Sequence, residues 1–122
     1  TTVGGVSLWV KPMAVNVTEE PLDLNGTAYV KITNGVVSAE GFTAPTIYVN
    51  GVAGATTVTA GTWNHIEVTT ASAINASAVN VGKYSTIYFN GSIDEVKIYT
   101  YRPTADQVKL DYNQSSAIRF GE

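Results

Sequence analysis

A chain of 122 residues with a net charge of −3 and only 14% charged residues offers no basic surface for nucleic acid or an anionic membrane. Cysteine is absent, which excludes disulfides and thiolate-bound metals and leaves an extracellular location open. The length suits one domain over residues 1–122 with a real core, and no apolar run reaches the ~18–20 residues of a membrane span.

The chain starts at Thr1 with no methionine, basic segment or apolar leader, so a signal peptide is expected to have been removed. Residues 6–11 read as a strand stopped by Pro12, which has no N–H for a continuing ladder. Residues 13–21 read as a polar connection, and residues 22–26 as a short strand and turn. Residues 27–33 alternate, with Ala28, Val30 and Ile32 on one face and Tyr29 and Lys31 on the other. Asn34-Gly35 and Asn50-Gly51 are hairpin signals, because both residue types tolerate the positive φ of tight turns. They follow or precede predicted strands at 36–42 and 46–50.

A weak strand at 56–60 precedes a stronger one at 63–70, which alternates Asn64, Ile66 and Val68 against Trp63, His65 and Glu67. Residues 71–77 read as a loop, and 79–83 and 86–89 as short strands. Asn90-Gly91 then turns the chain into a long strand over 93–101. Strict alternation sends Asp94, Val96, Ile98 and Thr100 one way and Glu95, Lys97, Tyr99 and Tyr101 the other. Short strands 8–12 residues apart predict an all-β antiparallel sandwich. One short C-terminal helix is predicted: Thr104 caps it with Gln107 three residues on, and Val108, Leu110 and Tyr112 form its apolar side. Asn113-Gln114 is expected to end it, and residues 118–120 to form a last short strand.

In order, Ser7-Leu8-Trp9-Val10-Lys11-Pro12, Ile47-Tyr48-Val49-Asn50-Gly51, Gly61-Thr62-Trp63-Asn64-His65-Ile66, Val81-Gly82-Lys83 and Phe89-Asn90-Gly91-Ser92-Ile93-Asp94-Glu95-Val96-Lys97-Ile98-Tyr99 resemble the laminin-G-like, concanavalin A-like jelly roll in its compact bacterial and archaeal form. The resemblance covers about residues 6–112 and implies a jelly-roll sandwich. Two departures stand out. Such domains usually open with a strand before the Trp-Val-Lys-Pro strand, and here only residues 1–5 precede it. A missing strand leaves an unpaired edge, to be filled by residues 117–120 folding back or by another chain. The Ile-Tyr-Val-Asn-Gly hairpin also precedes the Trp63 strand, whereas many relatives place it after.

Some proteins of this fold are glucanases, and retaining glycosidases need two carboxyls ~5 Å apart, hence alternate positions on one strand face. Asp94 and Glu95 are adjacent, Glu19 and Glu20 likewise, and Glu40 and Glu67 are isolated along the chain, so no catalytic residue is assigned. His65 is the single histidine and reads as structural or half-exposed, since zinc needs three or four N or S ligands. Calcium takes carboxylate and carbonyl oxygens. The resemblance implies a calcium ion near the sandwich loops, with Asp94 as best-placed ligand and Asp23 and Asn25 as helpers. The competing use of Asp94 is to accept backbone hydrogen bonds at the turn before its strand.

Trp9 and Trp63 are expected in the core. A sugar site would stack on exposed aromatics, and Tyr84, Tyr88 and Tyr101 are the glycan-binding candidates, against plain cross-strand packing. Five Asn-x-Ser/Thr sequons stand at Asn16, Asn25, Asn75, Asn90 and Asn113, against roughly two by chance, and mark candidate glycosylation sites. Together these observations point to a non-catalytic extracellular module of a cell or virion surface. Two roles fit. One is a structural or adhesive subunit, self-assembling through strand exchange or bound to the domains of a parent protein. The other is a carbohydrate-binding module of a larger exported protein.

Overall fold

The computed structural model describes residues 2–14, 18–84 and 87–120, and the side chains of all of these except 84 and 115–120. Among them the elements are β1 (Thr2–Pro12), β2 (Thr18–Asp23), β3 (Tyr29–Thr33), β4 (Val36–Glu40), β5 (Thr46–Val49), β6 (Val52–Ala53), β7 (Asn64–Asn75), β8 (Asn80–Val81), β9 (Lys83–Tyr84), β10 (Ile87–Tyr88), β11 (Gly91–Tyr99) and α1 (Ala105–Phe120). The predicted antiparallel sandwich with a C-terminal helix is what forms. The larger sheet runs β11-β1-β7-β5-β6, the smaller β4-β3-β2-β8, with β9 and β10 as a separate hairpin.

Alternation builds the core between the sheets. Val6, Leu8 and Val10 of β1, Ile66 and Val68 of β7, Leu22 of β2, and Val30 and Ile32 of β3 are all fully buried there. The hairpin signals at Asn34-Gly35 and Asn50-Gly51 hold, with all four residues at positive φ, and β5–β6 lies beside β7 although it precedes it in sequence.

Several expectations need correction. The connection over 13–21 is half strand: β2 starts at Thr18 and buries Glu19 and Glu20. A bulge between Glu19 and Leu22 takes up the extra residue beside Pro21. β7 runs on to Asn75, through the expected loop, because β1 also starts earlier and pairs Thr2 with Asn75 and Val3 with Ile74. That start needs glycine. A Cβ on Gly4 would collide with the backbone of Tyr101, and one on Gly5 would lie 2.7 Å from the Pro103 ring. The strand at 56–60 reduces to one bridge, Val36 to Thr57. Trp63 lies before β7 and is half-buried, so only Trp9 of the two tryptophans joins the buried set.

Residues 117–120 belong to α1. They neither fold back as a strand nor fill an edge, because nothing at Asn113-Gln114 forces a stop and the first glycine after them is Gly121. β1 is flanked on both sides, by β11 and β7; the open edges lie elsewhere.

Strict alternation also fails in β11. Trp9 pairs with Asp94 but Ser7 with Lys97, so one extra residue sits opposite β1, and Glu95 takes the left-handed conformation at φ 49°. The bulge places Asp94, Lys97 and Tyr99 across from Trp9, Ser7 and Gly5, while Ile93, Val96 and Ile98 pack on the core.

Candidate functional site

The outer face of the larger sheet carries the side chains that alternate away from the core. Three cross-strand rows follow from the register: Thr69, Gly5 and Tyr99; Glu67, Ser7 and Lys97; His65, Trp9 and Asp94. In β7 and β1 these positions are as buried as the core ones, and polar nonetheless: Ser7 is 1% exposed, His65 2%, Glu67 0% and Thr69 1%. Helix α1 is what covers them. Its Val108 is fully buried, and its Tyr112 ring stacks on Trp9 at 5.8 Å between centroids and lies 5.9 Å from His65, which in turn meets Trp9 at 5.1 Å. The β5–β6 turn passes below this ring cluster. A Cβ on Gly51 would come within 3.2 Å of Tyr112, and the Asn50 side chain accepts from the His65 N–H at 2.8 Å.

Beside the rings lies a polar cluster. The Tyr99 hydroxyl donates to Asp111 Oδ2 at 2.7 Å. Burial and this bond together raise the Tyr99 pKa. Glu67 lies near the same Asp111. Neither of its oxygens meets a donor in hydrogen-bonding geometry, and burial, then the neighbouring Asp111 carboxyl, push its pKa up to about 8. Burial lowers His65 to about 4, so it is neutral at pH 7, with Nδ1 unpartnered. Glu67, isolated along the chain, is therefore paired in space with an acid 44 positions on (111 − 67). Glu67 itself is fully buried, and Asp111 is half-buried at the rim of the cluster. The pair's signal in the sequence was the alternation that puts His65 and Glu67 on one face of their strand, with no acid nearby in the chain to mark the pairing.

The predicted calcium ligands do not converge. Asp23 and Asn25 share the turn after β2. There Asp23 Oδ1 accepts from the N–H groups of Asn25 and Gly26 at 3.2 and 2.7 Å, and Asn25 Oδ1 accepts from those of Thr27 and Ala28 at 2.9 and 2.7 Å. Asp94 stands on the other sheet, where its Oδ1 accepts from the Glu95 N–H at 2.8 Å and holds the bulge. Among the described residues no three His, Asp or Glu side chains are placed to hold a metal.

Of the tyrosines, Tyr88 is 63% exposed with Lys83 Nζ 5.2 Å from its ring centre, and Tyr101 is 50% exposed. Tyr101 is fixed by Gln107 Nε2, which donates to its hydroxyl at 2.6 Å, and by the Tyr99 ring at 5.6 Å. Tyr84 lies on β9 with its side chain outside the described ones. Asn75, Asn90 and Asn113 are exposed, Asn16 lies outside the described residues, and the Asn25 amide is engaged, donating to the Asn75 carbonyl at 3.0 Å. A cleft of about 260 Å³ opens at the β1–β11 end, lined by Lys11, Met13, Asn90 and Ser92 among others. No helix among the described residues is long and apolar enough to cross a membrane.

A family model of the concanavalin A-like lectin/glucanases superfamily matches residues 35–109, more than half of the chain. No curated protein and no solved structure matches it significantly.

Proposed function

Because the chain belongs to the concanavalin A-like lectin/glucanases superfamily, we propose that it is a non-catalytic extracellular binding module with a structural or adhesive role, joined to a second copy of itself edge to edge. The observation that carries this reading is the outer margin of the smaller sheet. β8 pairs with β2 through only Leu22–Val81 and Asp23–Asn80. Val79, Val81 and Tyr88 stand 42%, 53% and 63% exposed along or beside it. Natural edges are usually blunted by charge, proline or a bulge. Residues 79–81 carry no charge and no proline, whereas β11, an edge of the larger sheet, is bulged at Glu95 and carries Asp94, Glu95 and Lys97. An unprotected edge with exposed valines suits antiparallel pairing with its own copy about a two-fold axis. The full burial of Glu67 under α1 supports the non-catalytic part.

Size-exclusion chromatography with negative-stain microscopy at native concentration tests the proposal: dimers or polymers are expected, and a strict monomer overturns it. One observation favours the second role, glycan binding. Tyr101 offers an exposed ring held rigid by Gln107 and Tyr99, the geometry a stacked sugar needs. A glycan array probed with the protein and with Tyr101→Ala separates the two readings. Binding lost in the variant supports the glycan role, and no binding by either protein removes it.

A further inference from the structure

We propose that α1 is a pH-released latch: ionisation of Glu67, the buried β7 carboxyl that the helix closes over with its Asp111 alongside, lifts it off the outer face of the larger sheet. The geometry begins with Glu67, which is 0% exposed and has no donor on either oxygen. A carboxylate buried without a donor is costly, and the more so beside a second carboxyl, so the remedies are to keep its proton or to move the covering element away. Separation is available here, because among the described residues Asp111 sits on an element that meets the sandwich through a few side chains. These are Val108 in its socket, Tyr112 on Trp9, Asp111 with Tyr99, and Gln107 with Tyr101. Leu110, which would be expected to grip the sheet, is 53% exposed.

Every element around Glu67 contributes to this balance. Lys97 on β11 favours its ionised form but is itself exposed. Tyr99 on β11 spends its proton on Asp111. Ser7 on β1 and Tyr48 on β5 flank Glu67 in register and carry no charge at neutral pH. On β7 itself His65 is neutral and Thr69 is uncharged. Among the described residues Lys97 is the cation that acts on Glu67, from an exposed position and without an ion pair to it. Once Glu67 is ionised, the docked helix loses and the open sheet, where water reaches both carboxylates, gains. The face uncovered holds Trp9, His65 and Thr69.

Hydrogen exchange at pH 6 and pH 9, with α1 amides read against β7 amides of the same molecules, tests the latch. Wild-type protection of α1 relative to β7 is expected to fall at least about tenfold, the factor of one pKa unit. In Glu67→Gln, which cannot ionise, it is expected to fall less than about twofold. If Glu67→Gln does not fold, Asp111→Asn, on the half-buried helix side, is expected to keep α1 protected at pH 9 by removing the second charge. Wild-type protection that does not change with pH overturns the proposal. So does a tenfold loss that persists in either variant, or α1 and β7 losing protection together.

Discussion

Glu67 and His65 sit two positions apart on one strand face, and burial moves them in opposite directions because it penalises whichever form is charged. Glu67 rises from 4.5 to about 8. The unfolded chain gives up this proton near pH 4.5 and the native protein keeps it, so stability is full below 4.5 and is lost as pH rises to 8. The slope is up to about 1.4 kcal/mol per pH unit. His65 falls from 6.5 to about 4: the unfolded chain takes up a proton that the native ring refuses, so its contribution is lost as pH falls from 6.5 to 4. Between 4.5 and 6.5 the two slopes oppose each other, and above 6.5 Glu67 acts without that opposition. Glu19, raised, and Glu20, raised to about 7 by burial, add to the Glu67 direction. The expected result is a Tm that declines from pH 6.5 to 8 in wild type and declines less in Glu67→Gln. Parallel melting curves for the two proteins across that window would refute the assignment.

At the scale of elements, α1 shows how far local signals reach. Its start was legible. The Gln107 N–H donates to Thr104 Oγ1 at 3.2 Å, as the cap requires. Thr104→Ala is expected to cost about 1 kcal/mol in urea or thermal unfolding and Thr104→Asp to retain most of that, while Leu110→Ala at its exposed position should stay within about 0.5 kcal/mol. A cap substitution without effect would mean that packing alone holds the helix. Its end was not legible, since the chain beyond Asn113 continues helical without a breaker. In β11 the predicted alternation failed at Glu95, because a bulge costs no particular residue type and leaves no mark in a period-two pattern.

For the molecule as a whole, the two sheets are unequally finished. The larger has one face against the smaller sheet and the β1–β7 part of the other under α1. The smaller ends in β8, a two-residue strand with exposed valines, whose next residue Gly82 already accepts from the Phe89 N–H of the adjoining hairpin. If β8 is the assembly contact, Val81→Lys should convert assemblies to monomers in sedimentation velocity, because a lysine at the centre of an antiparallel edge pair meets its own copy. The monomer's Tm should change little, Val81 being a surface position. Assemblies that survive the substitution would place the contact elsewhere.

By itself, the sequence determined the class of fold, the family and most of the strands. Those follow from apolar alternation, Asn-Gly turns and the Pro103–Thr104 stop and start, all of which act over a few residues. It also determined the apolar core face of β3 and the cap of α1. Only the tertiary structure decided what became of the other face of β7. Alternation puts His65 and Glu67 on the face opposite Ile66 and Val68, and nothing near them in sequence says what covers that face. His65 and Glu67 are buried because an element that starts 30 positions after the strand ends (105 − 75) lands on them and sets Asp111 beside Glu67. No window along the chain holds both acids, so the carboxyl pair, the ring cluster of Trp9, His65 and Tyr112, and the exposed valines at β8 are properties of the assembled sandwich rather than of any stretch of it.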